Sequence, residues 1–213
     1  MPEPAKVTRN RATTEERLKE AVKVLIVQGG FGALTPGAVA RQAGVDKMLI
    51  YRYFGGIEGL VMALAQAPGF FPDLEELAGG DLAAARALPL AERVAAVTRA
   101  YAQALMRRPV VLEMMVWEMV ERNALTAIME EQREIQGLRI GAELFGDTGN
   151  ADETNAVAAI LGAAMSYLVL RRRKIRLFNG IDLHSEEGWE RLEAAVRLMA
   201  GALTSANPLR SPL

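Results

Sequence analysis

The chain has 213 residues, a formal net charge of −1, and 51% hydrophobic against 24% charged residues. This balance excludes an intrinsically disordered chain and supplies enough apolar surface for one large or two small packed units. Cysteine is absent, which excludes disulfide and thiolate chemistry and suits a reducing cytoplasm, where the protein is expected.

The charge is unevenly spread. Residues 1–60 hold nine Lys/Arg against six Asp/Glu, a net of +3, whereas residues 61–213 hold sixteen against twenty, a net of −4. A basic N-terminal segment on an acidic body fits one end that faces phosphates. The opening MPEPAKVTRNRATTEERL lacks the apolar core of a secretion signal. A long uncharged stretch, Thr154 to Leu170, precedes Arg171-Arg172-Arg173-Lys174. At 17 residues, and diluted by alanine, it is too short for a membrane span and reads as a buried interface helix.

Strand signals are nearly absent and helical periodicity runs throughout, so the predicted class is all-α. Thr13-Thr14-Glu15-Glu16 has the pattern of a capping box. It predicts a first helix that starts there, buries Leu18, Ala21, Val22, Leu25 and Ile26, and stops at Gly29-Gly30. Thr35-Pro36 opens a second, short helix that ends at Gly44. Asp46 caps a third running to Phe54, closed by Gly55-Gly56. A fourth begins near Ile57 and breaks at Pro68-Gly69; Phe70 to Leu88 should hold a short helix and turns. Long helices are predicted over Leu90–Arg107, Pro109–Glu121, Ala124–Phe145, Asp152–Lys174 and Ser185–Thr204, with a frayed end over residues 207–212.

Three short helices within residues 13–54, the last two joined by Ala43-Gly44-Val45, make a helix-turn-helix. Val45, Ile50 and Phe54 share one face of the third helix and can lock it inward. Lys47, Met48, Leu49, Tyr51, Arg52 and Tyr53 are left facing outward or sideways. Two tyrosines and an arginine on a two-turn helix make poor core material and good material for phosphate and groove contacts.

Thr35-Pro36-Gly37-Ala38-Val39-Ala40-Arg41-Gln42-Ala43-Gly44-Val45-Asp46 and Leu49-Ile50-Tyr51-Arg52-Tyr53-Phe54 resemble the DNA-binding signature of TetR-type regulators, over about residues 10–65. The resemblance implies a DNA-binding domain over 1–60 and a helical ligand-binding and dimerisation domain over 61–213. It implies that Thr35, with Pro36 and the start of its helix, binds a phosphate. Lys47, Met48 and Leu49 would meet base edges, and Tyr51 and Tyr53 would fix the recognition helix to the DNA backbone. Arg9 and Arg11 would form an arm ahead of the first helix. Gly37, Met48, Leu49 and Ile57 depart from the family pattern, and Arg41 and Arg52 are expected to compensate.

Eight of ten methionines lie beyond residue 60. Tyr101, Met106, Met114, Met115, Trp117, Met129 and Met165 are the candidate lining of a pocket for a greasy ligand, although the same spacing also serves a plain core. Glu113 and Glu118 read as solvated helix faces or polar contacts of that pocket. Ala156, Ala159, Ala163 and Tyr167 on one helix match Leu192, Ala195 and Met199 on the last. The family places such a pair in a four-helix dimer interface.

The basic run at 171–174 reads as a solvated helix C-terminus. His184 is the sole histidine, so no metal or Ser/His/Asp set is expected, and neither cofactor nor catalysis. The reading is therefore a ligand-responsive repressor: a homodimer released from a palindromic DNA operator by a small hydrophobic or amphipathic molecule. The rival is a helical protein-interaction module whose helix-turn-helix no longer binds DNA specifically.

Overall fold

The computed structural model describes the backbone of residues 4–146 and 151–205, and the side chains of 11–146 and 156–202 among them. Eleven helices appear among the described residues: α1 (Pro4–Gly29), α2 (Pro36–Ala43), α3 (Met48–Phe54), α4 (Ile57–Ala65), α5 (Leu74–Leu77), α6 (Leu82–Ala87), α7 (Leu90–Met106), α8 (Pro109–Glu118), α9 (Ala124–Phe145), α10 (Ala151–Arg172) and α11 (Glu186–Ser205). A 3-10 turn at Phe31–Ala33 follows α1, and a two-stranded antiparallel hairpin, β1 (Leu177–Phe178) and β2 (Ile181–Asp182), joins α10 to α11. The described chain is all-α apart from this hairpin. No single described helix is long and apolar enough to cross a membrane.

The chain divides into two compact units. Residues up to 71 with 108–135 form the first; residues 72–107 with those from 136 onward form the second. In the first, α1 packs on α2, α4 and α8, and α3 packs on α4. Its fully buried side chains include Leu18, Val22, Ile26, Ile50, Leu60, Leu64, Met114 and Met129. These are the stripe positions of amphipathic helices, and burial of each such side chain contributes about 1.5–3 kcal/mol.

In the second unit, α7 packs on α5, α10 and α11. Leu77, Ala85, Ala104, Ile140 and Leu144 form one core cluster there. Arg93 is buried beside it. Its guanidinium donates to the carbonyls of Leu144 at 2.8 Å and Arg86 at 2.7 Å, near the C-terminal ends of α9 and α6. A cation suits two helix C-termini, which explains a charged residue at a core position.

The first helix begins at Pro4, about two and a half turns before Thr13. The capping-box reading is therefore corrected: Thr13 and Thr14 lie inside α1, and Thr14 is buried. Side-chain pairs at helical spacing run through the described part of α1. Arg11 meets Glu15 at 2.7 Å, Glu16 pairs with Lys19, and Glu20 meets Lys23 at 3.1 Å. The arm expected at Arg11 is thus helical, and the Arg9 side chain lies outside the described residues.

The other departures are local. α8 stops at Glu118 rather than Glu121 because Asn123 captures the next turn: its Oδ1 accepts from the amides of Leu125 and Thr126. Thr126 Oγ1 accepts from the Asn123 amide in return, a reciprocal cap. α3 starts at Met48, with Asp46 Oδ1 accepting from the Met48 amide at 2.7 Å. The face of α10 expected at an interface is open in the single chain. Ala156, Ala159, Ala163 and Tyr167 are exposed, and Ile160 is 69% exposed.

Candidate nucleic-acid interface

Gly44 makes the turn between α2 and α3. It adopts φ +63°, a left-handed conformation that costs glycine nothing, and its amide donates to the Ala40 and Arg41 carbonyls. Arg17 of α1 clamps the same turn. Its Nη2 donates to the carbonyl of Ala43 at 2.6 Å and of Gly44 at 3.2 Å. At the other end of α2, Thr35 Oγ1 accepts from the Ala38 amide at 3.2 Å. Thr35 is exposed and Pro36 half-buried, so the start of α2 is open to solvent. Arg41 is also exposed.

Ile50 fixes α3 inward and is fully buried, with Val45 and Phe54 half-buried. The opposite face is open: Met48 is 61% exposed and Tyr51 49%. Lys47 and Arg52 are exposed beside them, and Leu49 is half-buried. Large apolar side chains left in water on so short a helix suit a contact surface, because the core had room only for Ile50.

Tyr53 organises the basic side of α3. The Arg11 Cζ lies 4.9 Å and the Arg52 Cζ 5.1 Å from its ring centroid. Arg52 Nη2 donates to the Tyr53 hydroxyl at 3.2 Å, and Glu15 holds Arg11 from behind. Glu15 raises the pKa of Arg11 by hydrogen bonding and then by charge. The arrangement gathers two guanidinium groups and a phenol at one corner. A phenol that accepts from Arg52 still has its own proton to donate, and a phosphate oxygen accepts from all three.

The structure thus brings Arg11, Arg52 and Tyr53 together, with Met48 and Tyr51 on the exposed face. Sequence reasoning missed Glu15 and Arg17 as positioning residues. The available signal was an arginine on the exposed side of α1 opposite the small Ala43-Gly44 pair.

Residues 18–64 match the model of the bacterial regulatory proteins of the tetR family. Among solved structures, a TetR-family regulator from Streptomyces coelicolor is similar, with 20% identity and a TM-score of 0.54, over 94% of this chain and 99% of that one. Residues 18–64 carry the family match, and the chain has the fold of these regulators. The fatty acid degradation regulator FadR from Bacillus halodurans is also similar, with 16% identity and a TM-score of 0.57, over 88% of this chain and 94% of its own. FadR from Bacillus subtilis, solved in complex with stearoyl-CoA, has 15% identity and a TM-score of 0.56, over 87% and 96% of the two chains. No curated protein matches the chain in sequence. In this TetR-type fold α2 and α3 are the helix-turn-helix, with α3 as its second helix.

The candidate ligand residues fall in both units. Met114, Met115, Trp117 and Met129 belong to the first, and Tyr101, Met106 and Met165 to the second. Met114 and Met129 are fully buried. The Trp117 indole lies over Gly30, where a Cβ would come within 2.6 Å of the ring. In the second unit, Tyr101 and Ser166 share a hydrogen bond between hydroxyls at 3.1 Å, and Met165 lines a small recess.

Glu118 is no solvated helix face. Its side chain is 11% exposed and meets Arg133 at 2.5 Å. Burial raises its pKa against the opposing pull of Arg133. A carboxyl raised in the folded state contributes stability at low pH that is lost as pH rises through the folded pKa. Relative to Glu118→Gln, the wild-type protein should therefore lose stability between acid and neutral pH. Urea unfolding at several pH values reads this, and a difference independent of pH would contradict it.

Proposed function

We propose that the chain is a DNA-binding transcriptional regulator, a homodimer that represses from a palindromic operator and leaves it when a small hydrophobic or amphipathic molecule binds. In this reading residues 1–60 read DNA, and residues 61–213 bind the effector and dimerise in the cytoplasm. The observation that carries the DNA reading is the corner where Tyr53 meets Arg11 and Arg52, on a segment that matches the tetR family. Two such corners in a dimer would face two half-sites about one helical turn of DNA apart. Arg41, Lys47 and the start of α2 at Thr35 add phosphate contacts, while Met48 and Leu49 offer apolar contact to thymine methyls.

The exposed stripes of α10 and α11 support the dimer. The effector class rests on the methionine-rich body, and one relative of similar fold was solved with stearoyl-CoA. Phenylalanine in place of Tyr51 or Tyr53 removes one hydroxyl each and should weaken operator binding by about 1 kcal/mol, roughly fivefold. Arg17→Gln removes the clamp on the Gly44 turn without removing a DNA contact. It should lower both thermal stability and operator affinity. Fluorescence anisotropy with the DNA flanking the protein's own gene reads all three. Unchanged affinity throughout would remove α3 from the interface and favour a protein-interaction module.

A further inference from the structure

Arg99 in α7 carries a group that its surroundings leave unsatisfied. Its side chain is only 11% exposed. Nη2 is paired with Glu186 at the start of α11, and the guanidinium lies 5.5 Å from the Trp189 ring. Nη1 is buried and has no hydrogen-bond partner among the described residues. A buried charged donor without an acceptor is costly, and native structures rarely leave one empty.

Arg99 also lines a recess within the second unit, of about 190 Å³ counted out to its open mouth. The other walls include Met165 of α10 and Trp189, Leu192, Glu193 and Val196 of α11. Two of the polar wall groups are occupied. Trp189 Nε1 donates to the Leu183 carbonyl at 2.9 Å, and Glu193 accepts from Arg197 Nη2 at 2.9 Å. Arg197 is held in turn by Glu92 at 2.6 Å. What remains for a guest is a largely apolar wall with the Thr98 side chain, the Glu193 carboxylate neutralised by Arg197, and one cationic donor. Glu186, the competing anion, is 72% exposed and well solvated.

We propose that this recess binds the carboxylate of a small apolar acid, with Arg99 Nη1 donating to it and the hydrocarbon lying along Met165, Leu192 and Val196. A planar guanidinium held beside an indole and by Glu186 is preorganised for a carboxylate. The enclosed part is close to the size of a water, so the carboxylate enters it only as the walls give way. A chain behind it needs Met165 to move, which an unbranched thioether does readily. The regulatory meaning of the site rests on the effector-sensing role proposed above; its capacity to bind does not.

The test uses the full-length Trp117→Phe protein, in which Trp189 is the remaining tryptophan and sits against Arg99. Octanoate, acetate and 1-octanol are titrated against its emission. Octanoate should give a saturable change at least tenfold tighter than 1-octanol, with acetate weaker than octanoate. Arg99→Gln should weaken octanoate at least tenfold, whereas Glu186→Gln, at an exposed position, should keep or tighten it by freeing Nη2. Equal binding of octanol and octanoate, no saturable change, or an Arg99→Gln protein that folds and binds octanoate unchanged would overturn the site. Operator anisotropy is read separately. Octanoate binding without operator release would remove the site from regulation, and a protein that never binds DNA would remove the regulator reading instead.

Discussion

Gly59→Ala is expected to destabilise the protein by about 3 kcal/mol or more and to abolish tight operator binding, because the added methyl has no room. A Cβ at Gly59 would lie 1.8 Å from the carbonyl oxygen of Phe54 and 3.0 Å from its carbon. Both are backbone atoms at the end of α3, so no rotamer change relieves the overlap. Either α4 or α3 must shift, and α3 is the helix that presents Met48, Tyr51 and Arg52. The first turn of α4 therefore fixes where the recognition helix ends. Gly37→Ala is the matched control, since a Cβ there meets nothing within 4 Å and the position is exposed. Urea unfolding and operator anisotropy of the two variants check this. A Gly59→Ala protein as stable as wild type would show that α3 and α4 do not approach so closely.

The second large effect concerns assembly. Ala159 in α10 and Ala195 in α11 are exposed in the single chain, alongside Ile160, Tyr167, Leu198 at 77% and Met199. Apolar and small side chains in this number on two helices make a patch that a monomer seldom leaves in water. Ala195→Glu should leave each subunit folded, because the site is already open in the isolated chain. In a two-fold dimer the substitution enters twice, burying carboxylates without partners at about 3–5 kcal/mol each. Light scattering at micromolar concentration should find a wild-type dimer and an Ala195→Glu monomer. A wild-type monomer would contradict the assembly outright. Loss of the dimer should also cost operator affinity, since one corner alone holds half the phosphate contacts.

Much of this architecture was legible because it follows from local chemistry. Thr35-Pro36, Gly44 and Gly55-Gly56 punctuate the chain through capping, fixed φ and left-handed turns, and the structure uses them where the sequence places them. Ala124–Phe145 is a helix over its predicted span because Asn123 caps it directly. The start of α1 was misread for an instructive reason. A threonine pair followed by glutamates can cap a helix or lie within one, and the Arg11–Glu15 pair, which spans the motif's start at helical spacing, favours the second. The hairpin between α10 and α11 was missed although Asn179-Gly180, at φ 48° and 76°, is a common tight-turn pair. Its strands are two residues each, too short to show alternation.

At the candidate interface the residue types of α3 were readable from exposure logic alone. The joining of Arg11 to Tyr53 was not, since it depends on α1 extending before Thr13. The pairing of Glu118 and the setting of Arg99 were invisible for a related reason. Each is a charged residue whose partner comes from another helix, Arg133 and Glu186 respectively, and a helical period says nothing about partners across a packing surface.

Operator affinity as a function of salt is the most direct test of the central claim, because it counts phosphate contacts regardless of the base sequence read. With Arg11, Arg41, Lys47 and Arg52 on each subunit of a dimer facing phosphates, log K should fall with log salt at a slope of roughly −7. Arg52→Gln should flatten that slope by roughly 1–2 across both specific and unrelated DNA. A slope near zero, or no DNA binding at low salt, would contradict the account.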